Sequence, residues 1–251
     1  MIVSTMKILV CISHVPDTTS KINFTDNNTK FDSNGVQFII GPYDDYALAR
    51  AIEIKEANAG TTVTVLNVGP ADTEPTIRKA LAIGADDAVR VNAEPTDSFF
   101  VAKQIAEHAK AKGYDLILMG RESIDFNGGV VHSMVGELLG IPSLSPVMKL
   151  ELEGTKAKLA REIEGGKELL EVSLPFVAGC QEPIAEWKIP NMRGIMSART
   201  KPLQVIEPIA VDSGVSLQKF ELPPAKGAVK MISSENVGEL VSLLKNEAKV
   251  L

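Results

Sequence analysis

The segment Lys7-Ile-Leu-Val-Cys-Ile12 is a continuous apolar run near the start of the chain, and Pro16 and Asp17 follow it. A strand that is buried on both faces of a parallel sheet has this pattern, because helices cover both of its sides. We therefore predict that residues 7–12 form the first central strand of such a sheet.

Strands and helices alternate in the sequence that follows. A helix is predicted from Pro42 to Gly60, with Asp44 and Asp45 in its first turn, where the helix dipole favours negative charge. The next predicted elements are a strand at 62–68, a helix at 74–83, a strand at 88–91, a helix at 99–112, a strand at 115–119 and a helix at 130–139. This order predicts an α/β fold with a mostly parallel, doubly wound, Rossmann-like sheet.

Antiparallel strands are predicted to extend that sheet. Three alternating segments, 149–152, 158–163 and 169–174, are separated by Gly-containing turns. An earlier stretch, 22–32, contains the turn-forming cluster Asp26-Asn-Asn28 and predicts a hairpin or a long excursion. Residues 181–208 keep no clean period, so we predict a long loop there of a functional or mobile kind.

The last part of the chain has the composition of an extended arm. Leu222-Pro-Pro-Ala-Lys-Gly227 precedes a predicted helix of about three turns that begins near Ser234. Its apolar positions, which share one face, are Val237, Leu240, Val241 and Leu244. We predict an α/β domain at 1–208 and an arm at 209–251 that needs a surface to pack against.

Composition excludes several classes of protein. The 251 residues are 45% hydrophobic and 23% charged, as in ordinary globular proteins, and the net charge of −6 disfavours binding to nucleic acid or anionic membranes. The apolar runs are shorter than the ~20 residues of a membrane span. Two distant cysteines, and no signal peptide in the first six residues, predict a cytoplasmic protein; translation from Met6 is an alternative start.

Catalytic and metal sites are not predicted. His14, His108 and His132 are isolated from one another, and nucleophile-elbow, Walker A and Gly-x-Gly-x-x-Gly motifs are absent from the sequence. The segment after the first strand has no glycine, which disfavours a phosphate loop there. Gly128-Gly129 begins a predicted helix, where free amides can hold an anion; a tight turn explains the pair equally well.

Seven segments together resemble the β subunit of electron transfer flavoproteins over nearly the whole chain. They are Val15-Pro-Asp-Thr18, Gly41-Pro-Tyr-Asp44, Val68-Gly-Pro70, Ile77-Arg-Lys-Ala-Leu-Ala-Ile-Gly-Ala-Asp86, Gly120-Arg-Glu-Ser-Ile-Asp125, Arg161-Glu-Ile-Glu-Gly-Gly166 and Arg193-Gly-Ile-Met-Ser-Ala198. Each is weak alone, but all seven in the family's order are specific.

The resemblance implies an electron carrier subunit rather than an enzyme. An α subunit would hold most of an FAD, and this chain would bury AMP in an adenine-nucleotide-binding fold. Electrons would pass from flavoprotein dehydrogenases, such as the acyl-CoA dehydrogenases of fatty acid oxidation, to a quinone oxidoreductase. The implied cofactor-binding residues are Cys11, Gly41, Pro42, Tyr43, Asp44, Val68, Gly120, Arg121, Glu122, Ser123, Ile124, Asp125, Phe126, Asn127, Gly128, Gly129, Val130 and Val131.

The sequence departs from the family pattern in ways that bear on the cofactors. Gly41-Pro42 replaces a common Asn-Pro turn, and Phe126-Asn-Gly-Gly129 replaces an acidic, Asn-Gln-Thr-containing loop. Thr18 stands where some members have a tyrosine near the flavin. Other members hold a second FAD in place of AMP and bifurcate electron pairs; this remains an alternative, although their loop usually reads Gly-Asp-Thr.

Residues 181–198 correspond to the loop by which the family recognises its dehydrogenases. Alignment places Met192 at the anchor position, with Ile195 and Met196 close by; packing inside the loop is the alternative for each. Trp187, the one tryptophan, more often pins such a loop to its own domain. The arm is expected to pack on the α subunit. Two other hypotheses are a stand-alone adenine-nucleotide-binding domain and, less favoured, an ATP-hydrolysing or adenylating enzyme without its phosphate loop.

Overall fold

The computed structural model describes residues 5–212 and 214–251. Their strands are β1 (Lys7–Cys11), β2 (His14–Pro16), β3 (Phe24–Thr25), β4 (Lys30–Phe31), β5 (Phe38–Ile40), β6 (Thr62–Val68), β7 (Asp87–Val91), β8 (Leu116–Gly120), β9 (Ser143–Glu153), β10 (Lys156–Ile163), β11 (Gly166–Ser173), β12 (Phe176–Cys180) and β13 (Leu203–Ile206). Their α-helices are α1 (Pro42–Ala57), α2 (Glu74–Ile83), α3 (Ser98–Lys112), α4 (Val131–Leu139), α5 (Met192–Ala198) and α6 (Val237–Asn246).

The main sheet of the described chain has nine strands in the order β11-β10-β9-β12-β8-β1-β6-β7-β13. The strands from β9 across to β13 pair in parallel, and β9, β10 and β11 pair antiparallel at one end. This is the predicted mixed α/β sheet, so the fold class is confirmed.

Helices cover both faces of this sheet. Ile8 and Val10 of β1 pack with residues of α1 and α2, whereas Leu9 and Cys11 of the same strand pack with residues of α3 and α4. Because successive side chains of a strand point to opposite faces, a strand covered on both sides must be apolar throughout. This burial explains the continuous run that the sequence shows at residues 7–12.

Most predicted element bounds lie within two residues of the structure, but the strands predicted at 149–152 and 169–174 begin earlier, at Ser143 and Gly166, and three further corrections are needed. The first helix ends at Ala57 and not at Gly60, because Asn58 is extended and its side chain binds the carbonyl of Ile54 at 2.8 Å. The stretch 181–208 is not one long loop, since it contains α5 and β13. Strand β12, which the sequence analysis missed, lies inside the sheet between β8 and β9.

The chain divides into two compact units. Among the described residues, the first comprises 5–23, 32–212 and 214–217, and the second comprises 24–31 and 218–251. In the second unit, the hairpin of β3 and β4 contributes Phe24, which stacks on Phe220 with ring centroids 4.7 Å apart, and helix α6 has no buried residue. The predicted C-terminal helix therefore exists, but its apolar face is largely exposed.

Two predictions concern the first six residues: that they form no signal peptide, and that Met6 is an alternative start. Residues 1–4 lie outside the described residues. Among the described residues, no helix combines the length and apolar character that a membrane crossing requires.

Candidate functional site

The carboxyl ends of three neighbouring parallel strands meet at one edge of the sheet. Cys11, Val68 and Gly120 are the last residues of β1, β6 and β8, and β1 pairs with both of the other strands. In doubly wound sheets, ligands bind in the crevice beyond such strand ends. The structure thus brings the three predicted strand-end residues together.

Helix α1 begins at the same edge. Gly41 precedes its first turn and accepts hydrogen bonds from the amides of Asp44 and Asp45 at 2.8 and 2.9 Å, and Pro42 occupies the first helical position. Proline is suited to that position, because its fixed φ matches the helix and no amide partner is needed there. Tyr43 is half-buried in this turn, whereas Asp44 is buried.

Asp44 links the start of α1 to the ends of β1 and β8. Its Oδ2 accepts hydrogen bonds from the amide of Ser13 at 2.8 Å and from Ser13 Oγ at 2.5 Å, and its Oδ1 accepts one from the amide of Gly120 at 2.7 Å. Burial raises the pKa of Asp44 to about 6, and these hydrogen bonds oppose the rise. The carboxylate is therefore mainly ionised at pH 7.

The first part of the loop after β8 is held by a polar chain. Arg121 lies over the Tyr43 ring, 4.8 Å from its centroid, and forms an ion pair with Glu122 at 2.9 Å. Its Nη1 donates to Gln181 Oε1 at 2.9 Å, and Gln181 Nε2 donates to Glu162 Oε2 at 2.6 Å. These contacts leave the guanidinium partly exposed beside the strand ends.

The second part of the loop is a tight turn that leads into α4. Ser123 Oγ hydrogen-bonds Asp125, and the amide of Asn127 donates to the carbonyl of Ser123 at 2.8 Å. Asn127 and Gly129 have φ values of 49° and 60°, which lie in the left-handed region that glycine adopts most easily. Phe126 is 67% exposed.

Helix α4 begins without a side-chain cap. Val130 occupies the capping position and makes no side-chain hydrogen bond to the helix, so its first amides are open to an anion. The remaining predicted cofactor-binding residues of this loop are Ile124, Gly128 and Val131. The tight turn and the open helix start therefore coexist at Gly128-Gly129.

His132, which the sequence showed to be isolated from the other histidines, is buried directly behind this loop. Burial lowers its pKa, and contacts with the backbone of Arg121 and Gly129 oppose that change. Its Nδ1 lies 3.0 Å from Ser133 Oγ. The neutral ring thus supports both ends of the loop, a role that no spacing in the sequence indicated.

Three further residues at this edge are Asn67, which the sequence did not single out, and two buried cysteines. Asn67 donates through Nδ2 to the carbonyl of Ile12 at 2.9 Å, tying β6 to the end of β1. Cys11 and Cys180 are buried free thiols, and burial raises the pKa of each. Thiols with a raised pKa are poor nucleophiles, so these two serve as small apolar packing groups.

Thr18 lies apart from the strand ends, in an exposed turn after β2. Asp17 organises that turn by accepting hydrogen bonds from the amide and Oγ1 of Thr19 at 2.9 and 2.6 Å. Strand β2 pairs with β5, where the ring of His14 stacks on Phe38 at 4.4 Å. Thr18 is thus presented to solvent within the described chain.

A second candidate surface is the exposed side of α5. Met192 is 73% exposed and Met196 67%, whereas Ile195 is less exposed at 40%. Trp187, to which the sequence assigned no definite role, is 60% exposed. A cavity of about 560 Å³ between α2 and α5 is lined by Ile195 and by the cations Arg78, Lys79 and Arg199, among others.

These features define an α/β protein with a candidate ligand-binding edge at the ends of β1, β6 and β8, and with a short helix, α5, whose apolar side chains are exposed. Residues 29–211 match the family model of the electron transfer flavoprotein domain. The chain is 36% identical to electron transfer flavoprotein subunit beta of Bacillus subtilis, over 98% of this chain and 100% of the relative. The human subunit beta is 31% identical over 98% and 99%, and subunit CarD of the caffeyl-CoA reductase-Etf complex of Acetobacterium woodii is 32% identical over 97% and 98%.

The chain therefore belongs to the electron transfer flavoprotein family, as a β subunit. Its general role is electron transfer within a flavoprotein. The resemblance inferred from seven short segments is confirmed.

Proposed function

We propose that this chain is the β subunit of a heterodimeric, cytoplasmic electron carrier and that it holds AMP as a structural cofactor. A flavin bound mainly by an α subunit accepts electrons from flavoprotein dehydrogenases, such as acyl-CoA dehydrogenases, and passes them to a quinone oxidoreductase. The chain itself turns over no substrate. Its part is to complete the flavin environment, to bury the nucleotide and to present residues 181–198, the docking segment, to the dehydrogenase.

One observation carries the nucleotide proposal: Cys11, Val68 and Gly120 end three adjacent parallel strands beside the uncapped start of α4. The strand ends supply apolar walls for a base, and the loop 121–131 supplies amides and Arg121 for a phosphate. The phosphate is held chiefly by backbone groups, since Phe126-Asn-Gly-Gly129 offers little side-chain charge.

The remaining surfaces fit the partners of such a carrier. Thr18 faces the shared flavin with a small polar contact, and Met192, with Ile195 and Met196, docks into an apolar pocket of the dehydrogenase. The arm at 209–251 packs on the α subunit, which would cover the exposed apolar face of α6. An unpartnered apolar face of this kind is costly in water.

A second candidate is a bifurcating form in which a second FAD replaces AMP. The segment Val15-Pro-Asp-Thr18 is compatible with both candidates, because the two-flavin forms often carry it as well. The loop sequence after Ile124-Asp125 favours AMP. The two candidates differ in cofactor stoichiometry.

The test is to co-express the chain with its α subunit, denature the purified heterodimer and quantify the released FAD and AMP. One FAD and one AMP per heterodimer is the expected result, and two FAD without AMP would establish the second candidate. A heterodimer with FAD alone, or a solitary chain that carries ATP, would overturn the proposal.

A matched pair of variants locates the nucleotide. Gly129→Ala and Gly140→Ala both place a side chain at positive φ, at opposite ends of α4. AMP content should fall only in Gly129→Ala, with FAD retained in both. Equal AMP loss in the two variants would contradict a site at the start of α4.

A further inference from the structure

Three hydrogen-bond donors converge on one point between the ends of β1 and β8. They are the amide of Ser13, the hydroxyl of Ser13 and the amide of Gly120, and each lies 2.5–2.8 Å from a carboxylate oxygen of Asp44. Convergent backbone amides beside a helix start are a common anion-binding arrangement in proteins. Here the anion in that position belongs to the chain itself.

Two glycines make room for this carboxylate. A Cβ on Gly41 would collide with Asp44 Oδ2 and Ser13 Oγ, and a Cβ on Gly120 would lie 2.6 Å from Asp44 Oδ1. The departure from Asn-Pro to Gly41-Pro42 therefore has a local cause, since a larger residue at 41 would not fit beside the Ser13–Asp44 pair. The two glycines therefore leave space that the Asp44 carboxylate fills.

The charge of Asp44 is not neutralised by a cation. Within the part of the chain that the structure describes, no lysine, arginine or histidine forms an ion pair with Asp44. The charged groups around it include Asp45 and Asp125, which are also acidic, while Cys11 and Cys180 are neutral. Of these acidic groups, Asp45 belongs to α1 and Asp125 to the loop, and the nearby cation Arg121 lies over the ring of Tyr43 and pairs with Glu122.

We propose that Asp44 is a specificity-determining residue that occupies the phosphate position between β1 and α1, so that a bound nucleotide must direct its phosphate towards the loop 121–131. This inference rests on the proposed nucleotide site. It makes Asp44 a negative determinant: the carboxylate weakens the binding of phosphate-bearing ligands relative to the uncharged nucleoside. The Ser13 donors are consumed internally and contribute nothing to the phosphate.

The test compares adenosine with AMP on the co-expressed heterodimer after its bound nucleotide has been removed. Asp44→Asn and Asp44→Ser both remove the charge, and the serine variant also relieves the crowding at Gly41. Both should raise the ratio of AMP affinity to adenosine affinity by about fivefold or more, because a like charge near the phosphate is lost.

Two controls separate charge from structure. Ser13→Ala keeps the carboxyl group but removes a hydrogen bond that holds its pKa down, so the affinity ratio should move in the same direction as in Asp44→Asn, and by less. Asp45→Asn removes the same charge one residue away, where Lys79 lies 3.9 Å from the carboxylate, so its effect on the ratio should be smaller.

The outcomes are distinguishable. An unchanged ratio in both Asp44 variants, with wild-type AMP binding intact, would overturn this inference and leave the proposed function standing. Loss of adenosine binding together with AMP would also overturn it, because Asp44 would then act only as part of the fold. A wild-type heterodimer that binds neither ligand would overturn the proposed nucleotide site as well.

Discussion

Arg78 Nη1 lies 2.8 Å from the carbonyl oxygen of Lys201, and it lies equally close to that of Ala198. Lys201 in turn donates through Nζ to the carbonyl of Leu81 at 2.8 Å. Arg78 of α2 thus binds carbonyls at and just after the end of α5, and Lys201, which follows α5, binds a carbonyl near the end of α2. The helix dipole favours positive charge at both of these helix ends. These contacts fix the short helix α5 on α2.

Replacement of Arg78 should loosen the docking segment. Arg78→Met removes two hydrogen bonds from a charged donor, and we expect the free energy of unfolding to fall by about 1–3 kcal/mol. Hydrogen exchange should accelerate most at residues 192–201. Lys79→Met is the control, since the Lys79 side chain is 41% exposed and its ion pair with Asp45 is long, at 3.9 Å. Equal protection of 192–201 in wild type and Arg78→Met would contradict the anchoring role.

Truncation of Met192 should weaken docking without slowing electron transfer. Met192→Ala removes the most exposed apolar side chain of α5, so KM for the partner dehydrogenase should rise about tenfold while kcat stays near the wild-type value. Leu169→Ala is the matched control, because Leu169 is 80% exposed on β11, away from α5. A KM change of equal size in both variants would show that the docking surface lies elsewhere.

A side chain at Gly120 should destabilise the first unit. In Gly120→Ala the new Cβ meets Asp44 Oδ1 at 2.6 Å and Tyr43 Cβ at 2.7 Å, and overpacking of this kind costs about 1–3 kcal/mol. Thermal unfolding should report the loss. Gly166→Ala, which meets nothing within 4 Å, should leave the melting temperature nearly unchanged. A similar temperature for both variants would argue against the close approach of β8 and α1.

The pH dependence of stability should change in Asp45→Asn. Burial raises the pKa of Asp45 from 3.8 to about 6, and Lys79 partly opposes this rise. Between these values the folded protein binds a proton that the unfolded chain has released, so the contribution to stability falls as pH rises through the window. The stability of Asp45→Asn relative to wild type should therefore increase by at most about 3 kcal/mol between pH 4 and pH 7. A flat difference in urea titrations at the two pH values would refute this.

Removal of residues 218–251, which are most of the arm, should weaken heterodimer assembly. A chain that ends at Leu217 keeps the contact of Ile209 with Gln104, at 2.9 Å in both directions, but loses α6 and its exposed apolar face. We expect the Kd for the α subunit to rise at least tenfold, because the apolar area that this face would bury in the interface is lost. Unchanged affinity of the truncated chain, measured by titration with the isolated α subunit, would exclude the proposed role of the arm.

Sequence patterns predicted correctly those elements that neighbouring residues define on their own. Strand β6 and helix α2 have the predicted bounds, because a β-branched run and a helical period closed by Gly84 define them without help from distant residues. Helix α5 was missed, since Met192-Arg-Gly-Ile-Met-Ser-Ala198 contains a glycine and has only seven residues. Its position depends on Arg78, which lies far away in the sequence.

The candidate site shows the same division. The alternation of strands and helices predicted the ends of β1, β6 and β8 to within one residue, and the family resemblance supplied Cys11, Val68 and Gly120 as site residues. The pairing of Asp44 with Ser13 could not, because the two residues are 31 positions apart and either one alone reads as an ordinary helix-start or loop residue. His132 likewise gave no signal, since its support of the loop is visible only in three dimensions.

The most direct test of the nucleotide proposal is a crystal structure of the heterodimer purified with its native cofactors. We predict density for one AMP at the ends of β1, β6 and β8, with its phosphate against residues 127–131 and away from Asp44. A second FAD at this edge would replace the AMP proposal with the bifurcating one. An edge that stays empty, with AMP bound elsewhere in the heterodimer, would contradict the account.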